Sequence, residues 1–159
     1  MHRILVLLAL AALTLPAHAR LGETVDQCIA RYGQPVAQED EPAVPGEKSA
    51  IFEKNGYAIW AFFLNGKCGM IIFLKIDRDK TVGHKYMGLS MGDDELKTLL
   101  DASANSFPWI EADNAEGKFW YRADGSAAAY DPNKPVLQIT AKEFGEAEKA
   151  QEAKKLQGF

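Results

Sequence analysis

Two Asn-Gly pairs, Asn55-Gly56 and Asn65-Gly66, each interrupt a run of apolar, aromatic and β-branched residues. A two-residue type I′ turn needs positive φ at both central positions, and Asn followed by Gly supplies it at low cost. Two such turns in succession commit the chain to a three-stranded antiparallel meander over residues 49–54, 57–64 and 67–76. Two-residue turns also fix the register, and side chains then alternate between faces. Lys54 opposes Tyr57, Phe52 opposes Ile59, Phe63 opposes Cys68 and Ala61 opposes Met70. One face carries Ala50, Phe52, Tyr57, Ile59, Ala61, Phe63, Cys68, Met70, Ile72 and Leu74, all apolar, and must be core. The other carries Trp60, Phe62, Ile71 and Phe73 at its centre and charged residues at its ends. Such a patch is either covered by a loop or the tail helix, or is a docking surface. Trp60, Phe62, Ile71 and Phe73 are therefore the candidate partner-binding residues.

A helix precedes the meander. Thr24 and Gln27 stand at capping-box spacing, Gly33 supplies a left-handed stop and Pro35 blocks continuation. Val25, Cys28, Ile29 and Tyr32 recur at i, i+3, i+4 and i+7, which makes one apolar stripe. That stripe is the natural cover for the core face, and packing the two together brings Cys28 onto the surface facing Cys68. These are the two cysteines of the chain. A disulfide between Cys28 and Cys68 is expected, stabilising the fold by roughly 4 kcal/mol in the chain-entropy model, and the alternative is a pair of buried free thiols.

The oxidising compartment that a disulfide needs is indicated by the first nineteen residues. Met1-His2-Arg3 gives a short positive region, residues 4–15 are apolar, and Ala17-His18-Ala19 ends the stretch as a signal peptide cleaved after Ala19. The apolar run falls short of the roughly 20 residues that span a bilayer. A periplasmic or secreted protein of residues 20–159, forming one domain and without a membrane span, is the expectation. With Lys and Arg numbering 18 against 22 Asp and Glu, the net charge is −4, which disfavours a nucleic-acid partner.

The second half follows a similar plan. Ser90 precedes Asp93, Asp94 and Glu95, acidic residues suited to a helix N-terminus, and Leu96, Leu99 and Leu100 form its stripe. Strands are expected at 109–112, 118–123, 126–131 and 136–141, then a charged, alanine-rich terminal helix over 145–157. The segment 38–48 reads as a surface loop. The fold class is α+β, with helices on one face of an antiparallel sheet and a tandem helix-then-strands repeat of halves 20–86 and 87–159.

The stretch from Leu21-Gly22-Glu23-Thr24 through Arg31-Tyr32-Gly33-Gln34-Pro35 resembles the opening helix of small envelope domains of the BamE/SmpA-OmlA outer-membrane lipoprotein type. There a Gly-x-Thr start and a Gly-x-Pro stop lead into an antiparallel sheet. The tandem plan is similar to that of the β-lactamase inhibitory proteins, whose sheets bind a partner protein while helices cover the other face. The resemblance covers fifteen residues and implies an envelope binding domain. The lipidation cysteine of the lipoproteins is absent, so no lipid anchor is implied, and no site residue carries over.

Catalytic patterns fare poorly. Gly88-Leu89-Ser90-Met91-Gly92 matches the nucleophile elbow of α/β-hydrolases, yet no histidine follows Ser90 and the expected sheet is antiparallel. Ser90 is better read as a helix cap. The run from Asp77 to Gly83 fails the calcium-loop pattern at positions 6 and 12, which are Val82 and Gly88. His84 lacks metal-binding partners. Glu111 and Asp113 share a strand face but read as solvated carboxylates. No cofactor or metal is indicated. The chain reads as a non-enzymatic module of the cell envelope that binds another protein or a peptide. The alternative is a small hydrolase or ligand carrier with a cleft between the two halves, lined by Trp109, Trp120, Tyr121 and Arg122.

Overall fold

The computed structural model describes residues 20–40, 45, 46, 48–77, 79, 86–104, 106–112 and 117–157. The proposed signal peptide, His84 and Asp113 lie outside them. Both Asn-Gly turns have the left-handed geometry that their sequence demands, with φ of 51° and 82° at Asn55 and Gly56 and 52° and 71° at Asn65 and Gly66. They join β2 (Lys48–Lys54), β3 (Tyr57–Leu64) and β4 (Lys67–Ile76). Helix α1 (Val25–Tyr32) begins at the Thr24/Gln27 capping box and ends at Gly33, as its sequence requires.

The second half supplies α2 (Asp93–Ala102), β6 (Ile110–Ala112), β7 (Lys118–Tyr121), β8 (Ala127–Asp131) and β9 (Val136–Thr140). Two further strands complete the sheet: β1 (Ala37–Asp40), at its edge against β2, and β5 (Gly88–Leu89), against the end of β4. The order is β1-β2-β3-β4-β9-β8-β7-β6, and each described pairing is antiparallel. The two halves therefore meet at the β4–β9 junction, each a helix followed by a meander. This is an α+β fold with the expected tandem repeat. The β1 strand corrects the reading of residues 38–48 as loop throughout: exposed and acidic, it blunts a sheet edge.

One core joins the halves. Cys28 and Tyr32 of α1 and Leu96 and Leu100 of α2 pack with Phe52, Ile59, Phe63, Ile71, Phe73, Trp120, Tyr130, Leu137 and Ile139 of the sheet. Both helices thus cover the same face.

A bulge alters the faces of β4. Phe63 pairs with Cys68, as two-residue turn geometry requires, but Phe62 pairs with Met70 and Ala61 with Ile71. Gly69 is the extra residue. Beyond it every side chain of β4 changes sides. Ile71 and Phe73 are core, 1% and 3% exposed. Met70, Ile72 and Leu74, expected in the core, share the opposite face with Trp60 and Phe62. The cause is a tertiary contact: a Cβ on Gly69 would lie 2.5 Å from Cδ2 of Phe144, so only glycine admits the ring at this point.

Phe144 belongs to α3 (Lys142–Leu156), which starts three residues before the expected helix and carries its one buried residue there. Gly145 sits beside Cγ2 of Thr140. Alternation in β9 turns Thr140 away from the core residues Leu137 and Ile139, so α3 docks on the second face. Its end, from Glu152 to Gln157, is exposed.

Candidate functional site

The deepest consequence of the tandem plan is a cleft of about 340 Å³ where the two helices stand over the sheet. Tyr32 of α1 forms one wall, and Leu99 and Ala102 of α2 the other. Ile59 and Phe73 make the floor. Lys54 and Asn55 of the first turn, with Asp94, Glu95 and Thr98 of α2, bring polar groups to it. Apolar walls with a few convergent polar groups are the usual composition of a small-molecule site.

The polar groups fall into two sets. Glu95 is fully engaged: Lys75 Nζ approaches Oε1 at 2.7 Å, the Tyr57 hydroxyl donates to the same oxygen at 3.0 Å, and Oε2 accepts from the Gly92 N–H at 2.9 Å. Lys75, then the Gly92 amide and Tyr57, hold its carboxyl down at about 2. Desolvation, aided by the Glu95 carboxylate, pushes the Tyr57 phenol up to about 12. The last bond also shows that Gly92 is the N-cap of α2 and Glu95 its N3 partner. Ser90, expected as the cap, stands exposed two residues upstream.

The second set is unspent. The Tyr32 hydroxyl is buried and makes no hydrogen bond among the described residues. Burial, with the nearby Cys28 and Glu23, raises its pKa well above that of an ordinary phenol. Lys54 Nζ donates to the Arg31 carbonyl at the end of α1, beside Tyr32, which leaves two of its three N–H donors. A buried polar group without a partner is rare and costs about 1–3 kcal/mol. The cleft therefore offers apolar walls and one ammonium, while the Tyr32 hydroxyl is sealed inside the protein.

Acid should loosen the Glu95 tie. Its folded-state pKa, about 2, lies below the ordinary 4.5, so the stability it contributes is present above pH 4.5 and is lost as pH falls from 4.5 toward 2. The thermal midpoint should drop across that window, and Glu95→Gln should flatten the drop while lowering the midpoint at pH 7. A wild-type midpoint constant from pH 5 to 2.5 would contradict this.

The four residues expected to bind a partner do not form one patch. Phe73 is on the cleft floor and Ile71 is core on the same face of β4, while Trp60 and Phe62 lie half-buried on the opposite face. There the Tyr86 ring meets Trp60 edge-on at 5.5 Å between centroids, and the Tyr86 hydroxyl donates to Glu53 at 2.8 Å. With Ala58, Leu74, Ile76 and Val136 these rings make a second small core.

The four residues expected to line a cleft between the halves are also divided. Trp109 and Trp120 line a separate recess of about 420 Å³ against α2, bordered by the Lys118–Asp93 and Lys97–Asp101 pairs. Arg122 is buried in a structural network, and Tyr121 is on the second face, 54% exposed. The cleft residues themselves, Tyr32, Lys54 and Leu99, escaped sequence reasoning. Each looks like an ordinary stripe or turn residue, and only the placement of two helices side by side unites them.

Cys28 and Cys68 do face one another across the α1–β4 contact. Both are 1% exposed and unbridged in this structure, and the Cys68 thiol donates to the Met70 carbonyl at 3.5 Å. Among the described residues no three His, Cys, Asp or Glu side chains converge as a metal site, and no helix is long and apolar enough to cross a membrane.

No family model and no curated protein matches the chain. Among solved structures, an extracellular protein containing a SCP domain from Bacillus anthracis str. Ames aligns with 81% of this chain at 12% identity and a TM-score of 0.46. The alignment takes in 46% of that protein, so this chain spans less than half its length.

Proposed function

We propose that the protein is an exported binding protein that holds a small, mainly apolar molecule in the cleft between α1 and α2. The observation that carries this reading is the apolar-walled cleft of about 340 Å³ itself, with Tyr32 on one side, Leu99 and Ala102 on the other and Lys54 at its edge. Lys54 favours a ligand whose polar end is a carbonyl or carboxylate. Catalysis is not part of the reading. A general acid or base works best with a pKa near the operating pH, and the cleft's Glu95 is held at about 2 by three donors.

Tyr32→Phe separates fold from function. With no bond to lose, the unliganded protein should become more stable, by up to about 1–2 kcal/mol, because an orphaned hydroxyl is removed. Ligand shifts should survive in Tyr32→Phe, because its hydroxyl is sealed from the cleft. The measurement is a thermal-shift screen of aryl and medium-chain carboxylates, ketones and alcohols on wild type, Tyr32→Phe and Ala102→Phe, the last filling the cleft. Stabilisation rises with concentration by mass action for a true ligand. Stabilisation of wild type that vanishes in Ala102→Phe supports the cleft. Equal shifts in all three proteins would sink it.

A second reading keeps the protein- or peptide-binding role on the other face, where Trp60, Phe62 and Ile72 stay half-exposed. There Trp60→Ala should abolish capture of a partner and leave cleft ligands unaffected.

A further inference from the structure

Cys28 and Cys68 are the chain's two cysteines, they arrive from separate elements, and each is as buried as the central core residues. Their facing is held from two directions. The strand side is fixed by a pair of backbone bonds, Gly22 N–H to the Cys68 carbonyl and Cys68 N–H to the Glu23 carbonyl, both 2.7 Å. The helix side is fixed by a clasp across α1, in which Arg31 grips the Glu23 carboxylate through Nε at 3.0 Å to each oxygen. Residues 22–23 thus lie on Cys68, while α1 hangs from them with Cys28 turned inward. Tyr32, the wall of the cleft, is one helical turn beyond Cys28 on the same stripe.

We propose that Cys28 and Cys68 form an oxidisable cross-link that locks α1 onto β4 and so fixes the Tyr32 wall. The step is thiol–disulfide exchange. A disulfide donor of the glutathione type, RSSR, is attacked by one thiolate to give a mixed disulfide and RSH. The second cysteine then displaces another RSH and closes the Cys28–Cys68 bond. Two electrons and the two thiol protons pass to the donor. In the folded dithiol the pair is shielded, since contact with Cys28 and burial raise the Cys68 thiol and disfavour the attacking thiolate. Closure therefore belongs to folding, or to moments when α1 lifts, and once made it resists reduction. This holds whether or not the cleft is occupied.

The test folds the full chain in oxidised or in reduced glutathione and compares both with Cys28→Ala/Cys68→Ala. The oxidised protein should weigh two hydrogens less, and its peptide map should join residues 28 and 68. Its thermal midpoint should rise by roughly 10 °C, the scale expected when a loop of this length is closed. Amide exchange of α1 should slow at least tenfold, with β6–β8 unchanged, and reductant applied after unfolding should reverse both effects. If the double variant fails to fold, redox cycling of wild type reports the same changes. Free thiols in the oxidised sample, bridges between chains, or a bridge that leaves α1 exchange unaltered would each overturn the lock.

Discussion

Phe144→Ala should cost about 3–5 kcal/mol, the range for deleting a fully buried aromatic ring that leaves a cavity. Phe144 is the single fully buried residue of α3, 0% exposed, and Gly69 is its seat. The helix is joined to the same seat by the Ala141 N–H, which donates to the Gly69 carbonyl at 2.8 Å. Little else retains it, since the exposed stretch from Glu152 onward buries no apolar surface. The complementary change, Gly69→Val, should also destabilise: its Cβ would lie 2.5 Å from the ring and 2.9 Å from the Phe144 Cβ, and the latter cannot swing aside. Because the two residues meet, their effects should not add. Gly69→Ala combined with Phe144→Ala should cost less than the sum of the two single changes. Urea unfolding followed by tryptophan fluorescence gives all of these values. A loss below 1 kcal/mol for Phe144→Ala would mean that α3 is not docked.

That contact is also where the sequence was hardest to read. Type I′ turns are local: Asn55-Gly56 and Asn65-Gly66 need no tertiary partner, so three strands and the first pairs of each hairpin follow from four residues. Helix α1 is equally local, with its box at Thr24 and stop at Gly33. Both cysteines could then be placed face to face by periodicity alone. A bulge is different. It costs the ladder one rung and is stabilised by what fills the space, here a ring from a helix 75 residues away. An isolated glycine inside a strand is a known sign of a bulge or close approach, and Gly69 carried that sign. Taking β4 as regular moved Ile71 and Phe73 to the wrong face and built a four-residue patch that does not exist. The cleft was beyond local reasoning for the same cause. The expectation of a groove between the halves was sound as topology, but its lining depends on where α1 and α2 stand relative to each other, which no periodicity encodes.

The tandem arrangement puts an unusual demand on α2, whose last turn carries no basic residue of its own. The deficit is met by Arg122 from the turn after β7. Its guanidinium donates to the Ser103 carbonyl at the end of α2, where a cation is favoured by the helix dipole. The same group bonds Asp124 through Nε at 3.1 Å and Ser126 at 3.1 Å, and lies 4.8 Å over the Trp109 ring. Trp109 in turn donates to the Leu100 carbonyl at 2.8 Å. One side chain, 5% exposed, thus closes the C-terminus of the helix that forms half the cleft. Arg122→Met should therefore cost about 3–5 kcal/mol, the scale for removing one partner of a buried charge pair. Arg122→Lys should recover little, because an ammonium cannot span the carbonyl, the carboxylate and the ring face together. Asp124→Asn should be milder, since the Asp124 side chain is 29% exposed and water replaces part of the loss. The three variants rank the network by chemical denaturation. Hydrogen exchange at the end of α2 should quicken first in Arg122→Met, with α1 unchanged. If Arg122→Lys proves as stable as wild type, the guanidinium geometry is irrelevant and α2 is held by its leucine stripe alone.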